Sequence, residues 1–258
     1  MHPILRRLDE LATVLSERAD TVALLALGSA GAQRARLDEH SGLDFLVVAQ
    51  ERAVWRLLDR TDWLEAPCPV LWSYAHERNG RTALYADGIL AAYRIVTARE
   101  LAHLPFSGAR VVWRRADAPP GLTQSEVLPP RTPYDSPEFH VGEALTLLWS
   151  GLHRELRGER LAASRLIQVR AVDRVVSLAR LGSGEPLYRD LFDPSRRVER
   201  AHPPQVLPLA AMVPGYAHNA AAATAVLDWL APRHPLPAAM VAILRELIDR
   251  ASRSGDSR

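Results

Sequence analysis

Two short stretches carry most of the chemistry in this 258-residue chain. In the first, Leu24-Leu25-Ala26-Leu27-Gly28-Ser29, a Gly-Ser pair leaves a wholly apolar run. Glycine lets the backbone approach a ligand closely, so such a pair can turn N–H groups and a hydroxyl toward phosphate oxygens. In the second, Ser41-Gly42-Leu43-Asp44-Phe45-Leu46-Val47-Val48, a carboxylate stands at the head of another apolar run. A carboxylate beside bound phosphates can hold magnesium, an ion that often takes only one or two protein carboxylates and keeps several waters. Gly28 and Gly31 do not have the Gly-x-Gly-x-x-Gly spacing of a dinucleotide fold, and Asp44 begins its apolar run where that fold needs an acidic residue at the end of one.

The composition narrows the chemistry further. All 32 basic residues are arginine, which removes the P-loop lysine, Schiff-base catalysis, Ser-x-x-Lys nucleophiles and the protein-kinase lysine. Cys68 is the single cysteine, so there is no internal disulfide and no Cys-x-x-Cys pair, and the nine histidines show no metal-binding spacing. With 30 acidic residues against 32 basic ones, the net charge of +2 gives no reason to expect a specific nucleic-acid partner. The first residues lead into an amphipathic pattern, unlike the apolar core of a signal peptide, and the least charged stretch, 207–227, is broken by Pro208, Pro214 and Gly215. A cytoplasmic protein with no membrane partner is expected.

The elements that must position the two stretches follow from periodicity. Residues 3–18 have the spacing of an amphipathic helix, Val22–Leu27 that of a buried strand, 43–49 a second strand and 51–60 a helix. Between 69 and 97, three strand-like runs are separated by Asn79-Gly80 and Asp87-Gly88, strong hairpin signals that predict an antiparallel meander. A short strand is expected at Val111–Trp113, and prolines 119, 120, 129, 130, 133 and 137 mark a linker. Beyond it, helical spacing over 141–156 and 161–181, a proline-rich loop over 187–214 and helices near 218–230 and 237–251 predict a bundle of about four helices with a frayed tail from Ser252. The division is into residues 1–130 and 135–258.

The Gly-Ser pair, the loop after it and Asp44 on the next strand resemble the nucleotidyltransferase superfamily, whose pattern is Gly-Ser followed by Asp-x-Asp on a strand. Trp55 to Trp63, the meander ending Asp87-Gly88-Ile89-Leu90, the run Glu100 to Phe106, and Leu147-Leu148-Trp149 with Arg157-Gly158-Glu159 are similar to the bacterial aminoglycoside and lincosamide nucleotidyltransferases. The resemblance implies an α+β fold, a mixed sheet with flanking helices followed by an α-helical bundle. It implies transfer of a nucleoside monophosphate from ATP or another NTP to a hydroxyl of a small, antibiotic-like acceptor, with Mg2+. It makes Asp44 the catalytic residue and metal ligand, and Gly28 and Ser29 nucleotide-binding residues.

The sequence departs from that pattern at two of three carboxylate positions. Gly42 stands where the first aspartate is expected, and the third carboxylate falls at Ala92, with Tyr93 as the next candidate. Arg94, two residues beyond Ala92 and so on the same strand face, is expected to repel magnesium and attract phosphate, which makes it a third nucleotide-binding candidate. Asp38 and Glu39 in the preceding loop are substitute ligands, and Glu143 on the first helix of the second half is a candidate general base. Two readings follow: a transferase with its metal site reduced to Asp44, and an inactive member of the fold that binds a nucleotide, a small ligand or a protein partner.

Overall fold

The structure is a computed structural model, and it describes residues 1–106, 108–127, 135–182, 190 and 193–255. The chain divides into two compact units, Met1–Pro130 and Arg131–Arg258. It is α+β: a mixed six-stranded sheet with flanking helices, followed by a helical region.

The first unit opens with α1 (Pro3–Ser16), β1 (Thr21–Ala26), β2 (Leu43–Ala49), α2 (Glu51–Asp59) and α3 (Asp62–Glu65). It continues with β3 (Val70–Glu77), β4 (Gly80–Tyr85), β5 (Leu90–Val96), α4 (Ala98–Ala102) and β6 (Arg110–Arg114). The sheet order is β3-β4-β5-β2-β1-β6. The pair β2/β5 is parallel and every other pair antiparallel. The expected meander is therefore present as β3-β4-β5, and the region around Trp55 to Trp63 forms two helices where one was expected.

Strand alternation explains both layers. Phe45 and Val47 of β2 join Leu24, Tyr93 and Ile95 in a core beneath α1, α2 and Trp63, while Leu46 and Val48 join Leu25, Val96, Leu101 and Phe106 on the other face. Both faces of β2 are thus covered, which is why it reads as an almost continuous apolar run. Asp44 is its single exposed residue, at the end where the second layer stops. Arg7, buried on α1, ties that helix to the β4/β5 turn: Nη2 donates to Asp87 at 2.8 Å, Nε donates to Glu10 at 2.9 Å, and the guanidinium lies 4.3 Å from the centre of the Tyr85 ring.

The second unit contains α5 (Pro137–Leu156), α6 (Arg160–Ser164), a π-helical segment (Arg165–Ala171) and α7 (Val172–Gly182). It ends with α8 (Val198–Ala201), α9 (Leu209–Met212), α10 (Asn219–Leu230) and α11 (Ala238–Gly255). Apolar faces of α5, α7, α10 and α11 share one core containing Leu148, Leu152, Val175, Val226 and Leu244. Two expectations are corrected. The stretch 161–181 is not uniformly α-helical, and α11 continues through Gly255 in place of fraying from Ser252. The expected loop at 187–214 includes two short helices, while 187–189, 191 and 192 lie outside the described residues, as do linker prolines 129, 130 and 133. No helix among the described residues is long and apolar enough to cross a membrane.

Candidate functional site

The turn after β1 is wound tightly against the strand it leaves. Leu27 N–H donates to Asp44 O at 2.8 Å, closing the β1/β2 ladder, and Gly31 N–H returns to Leu27 O at 2.9 Å and Gly28 O at 3.1 Å. Gly28 has φ +54°, a left-handed conformation that a side chain disfavours. At Gly31 space decides: a Cβ there would lie 2.4 Å from Ala26 O and 2.8 Å from Leu27 C. Among the described residues, the N–H groups of Ser29 and Ala30 and the Ser29 hydroxyl make no hydrogen bond. Ala30 is fully buried, so the turn offers the Ser29 N–H and hydroxyl to an external acceptor.

Asp44 stands beside this turn. A Cβ added at Gly28 would lie 3.5 Å from Asp44 Oδ2, so the carboxylate borders the turn at the residue before Ser29. The structure thus brings Gly28, Ser29 and Asp44 together at one end of the sheet. Gly42, two residues earlier and just before β2, is exposed, and a Cβ there would meet Leu90 O at 3.4 Å.

The parallel register of β2 and β5 fixes the position across from Asp44. Asp44 pairs with Ala92 and Leu46 with Arg94, so Ala92 is the immediate lateral neighbour, with adjacent strands about 4.8 Å apart. Tyr93, the other candidate, points to the opposite face. It stacks on Phe45 at 5.1 Å with its hydroxyl buried, and burial raises its phenol to about 12. It is a core residue.

Arg94 does share the face of Ala92, as expected, but its guanidinium is already engaged. Nε donates to Glu77 Oε2 at 2.8 Å and Nη2 to Oε1 at 2.5 Å, a bidentate pair that crosses Gly80 of β4. The Arg94 hydrogen bond lowers the Glu77 carboxyl below its ordinary value. The pair's contribution is thus present above the ordinary glutamate value of about 4.3 and fades as pH falls through the lowered one. The loop candidates are tied within their own loop: Asp38 Oδ1 accepts from Ser41 Oγ at 3.0 Å and His40 N at 3.1 Å, and Glu39 lies 3.4 Å from the His40 ring. Glu143 is partly exposed on α5 and belongs to the other unit. Among the described residues, no group of three or more His, Cys, Asp or Glu side chains is placed to hold a metal ion.

The register also brings in residues that the motif does not point to. Asp44, Ala92, Thr82 and Tyr74 form one row across β2, β5, β4 and β3, with Trp72 and His76 flanking Tyr74 on the same face. Trp72 and Tyr74 are about half exposed, their rings 5.0 Å apart, and Thr82 Oγ1 lies 3.2 Å from His76 Nδ1. The alternation Trp72-x-Tyr74-x-His76 is visible in the sequence, but its side of the sheet is set by long-range pairing.

No protein-family model matches the chain, and no curated protein matches it. Among solved structures, the chain is similar to an aminoglycoside 6-adenyltransferase from Bacillus subtilis. The match covers 98% of this chain and 99% of that one, at 12% identity and a TM-score of 0.32.

Proposed function

We propose that this chain is a nucleotidyltransferase-fold protein that binds a nucleoside triphosphate together with a single magnesium ion and does not carry out transfer to a hydroxyl at an enzymatic rate. The observation that carries this reading is the Asp44–Ala92 register: the strand position beside the Asp44 carboxylate holds a methyl group. Ser29 would donate its N–H and hydroxyl to phosphate oxygens, and Asp44 would supply one carboxylate ligand to the magnesium ion.

Magnesium would neutralise charge on the phosphates when bound there. One carboxylate fits such an ion, because the triphosphate and water complete its shell. The donors do not fit a second ion that acidifies the attacking hydroxyl, since Gly42 and Ala92 carry no ligand atom in their side chains. Arg94 supplies positive charge two residues along from Ala92, restrained by Glu77.

A transferase acting on a small antibiotic-like hydroxyl compound is the second reading, favoured by the exposure of Asp44 on an otherwise buried strand. It requires a further base to take the proton of the attacking hydroxyl.

Titration with a fluorescent ATP analogue in magnesium buffer tests the site. Wild type binds saturably, and Ser29→Glu, which places a carboxylate among the phosphate donors, binds at least about tenfold more weakly, the loss of roughly one charge-assisted hydrogen bond. Equal binding by the two proteins moves the nucleotide away from this turn.

A further inference from the structure

The helical unit contains a second constellation, independent of the proposed nucleotide site. A cavity of about 740 Å³ lies against the π-helical segment, within the roughly 300–1,000 Å³ range of small-molecule sites. Arg154, Arg160, Arg165 and Arg170 line it, together with Leu161 and Tyr216.

The charges there are unevenly matched. Arg154 Nη1 donates to Glu159 Oε2 at 2.6 Å, and Arg160 Nε lies 3.4 Å from Glu155 Oε1. Among the described residues, Arg165 and Arg170 make neither an ion pair nor a hydrogen bond. After pairing, two guanidinium groups remain, the charge of one dianion. Beside them are exposed apolar groups: Tyr216 is 57% and Leu161 56% exposed, with Leu166 completing the apolar lining.

The walls are held from beneath by a buried polar network. Gln168, at the middle of the π segment and 4% exposed, donates through Nε2 to Gly215 O at 2.8 Å and Asn219 Oδ1 at 2.7 Å. Its Oε1 accepts from Gly215 N at 3.0 Å. Asn219 Nδ2 in turn donates to Glu155 Oε2 at 2.7 Å and Arg160 O at 3.3 Å. One network therefore fixes the Tyr216 loop, the end of α5, the start of α6 and the π segment relative to one another. A satisfied buried network of this kind makes the surrounding geometry rigid.

The π turn has a local steric partner at Gly151 of α5, where a Cβ would lie 2.4 Å from Ile167 Cγ1. The π segment packs into that missing side chain, with Ile167 toward the core and Arg165 and Arg170 toward the cavity. Such departures from α-helical winding recur at functional sites.

We propose that this cavity binds a small organic phosphate, a phosphomonoester dianion whose phosphate is held by Arg165 and Arg170 and whose planar or apolar body rests on Tyr216, Leu161 and Leu166. Guanidinium forks suit phosphate oxygens, and an aromatic wall suits a ring. Phenyl phosphate carries both features and serves as the probe, with inorganic phosphate and phenol as its two halves.

Isothermal titration of each probe into the full chain tests the assignment. Wild type binds phenyl phosphate saturably, and at least tenfold more tightly than inorganic phosphate or phenol. Arg165→Ala and Arg170→Ala each weaken phenyl phosphate about tenfold or more, one charge-assisted contact each, and leave the unfolding midpoint unchanged. Tyr216→Ala weakens phenyl phosphate but not inorganic phosphate. Ser29→Glu binds phenyl phosphate as wild type does, so failure here is distinguishable from failure at the Gly28–Ala30 turn. Absence of saturable heat with phenyl phosphate, undiminished binding in both arginine variants, or equal affinity for phenyl and inorganic phosphate each overturns the proposal.

Discussion

Replacing Gly31 with alanine probes the proposed nucleotide-binding turn at its tightest point. The added methyl carbon would lie 2.4 Å from Ala26 O, whereas a carbon–oxygen contact settles near about 3.3 Å, so roughly 0.9 Å must be regained. The nearest atoms are all backbone, with Leu27 Cα and C at 2.8 Å, so no side-chain rotation relieves the clash. The turn has to lift from the strand end, which weakens the Gly31 N–H bonds to Leu27 O and Gly28 O. Overpacking of this kind costs about 1–3 kcal/mol. For a unit of this size that lowers the unfolding midpoint by about 4 °C per kcal/mol. The Ser29 donors move with the turn, and losing one charge-assisted bond to phosphate, at about 1.5–3 kcal/mol, weakens ATP roughly tenfold to a hundredfold. Calorimetric unfolding and ATP titration on the same preparation measure both effects. Gly42→Ala is the control, since its added carbon meets Leu90 O at 3.4 Å and requires little adjustment. A Gly31→Ala protein that unfolds at the wild-type temperature and binds ATP with wild-type affinity would refute the turn geometry.

Three further outcomes are expected. Gly42→Asp combined with Ala92→Glu places carboxylates beside and across from Asp44 and creates manganese binding detectable by electron paramagnetic resonance; no gain over wild type contradicts the assignment of Ala92 as the missing ligand position. Glu77→Gln releases Arg94 from its bidentate partner and tightens ATP several-fold, and unchanged affinity in that variant means Arg94 does not reach the phosphates. Arg7→Ala removes the link between α1 and the Asp87 turn together with its packing on Tyr85, costing about 2–3 kcal/mol in chemical unfolding, and a loss below about 0.5 kcal/mol assigns that link no structural weight.

Much of the fold is legible in the sequence because the strands alternate or run apolar over clear lengths and the hairpins carry their turn residues. Leu43–Ala49 reads as a buried strand, and the Asp87-Gly88 turn has Gly88 at φ +85° with Asp87 Oδ1 accepting from Ile89 N. The partner of each strand is another matter. Nothing in the local pattern of Leu90–Val96 says that it lies parallel to β2, yet that pairing sets Ala92 beside Asp44 and turns Tyr93 into the core. The row through Thr82 and Tyr74 is hidden for the same reason. The π segment escapes periodicity because it arises from packing of Ile167 where Gly151 lacks a side chain, 16 residues earlier in the chain. Arg94 is visible as a charge on the right strand face, but its capture by Glu77 depends on β4 lying between them with glycine at the crossing.

The most direct test of the account is isothermal titration of ATP into wild type and Asp44→Asn, each with magnesium and with chelator. The account predicts that magnesium tightens binding to wild type at least tenfold and that Asp44→Asn loses this gain while still binding metal-free ATP through the Gly28–Ala30 turn. A magnesium effect of equal size in both proteins would contradict it, as would the absence of ATP binding by wild type.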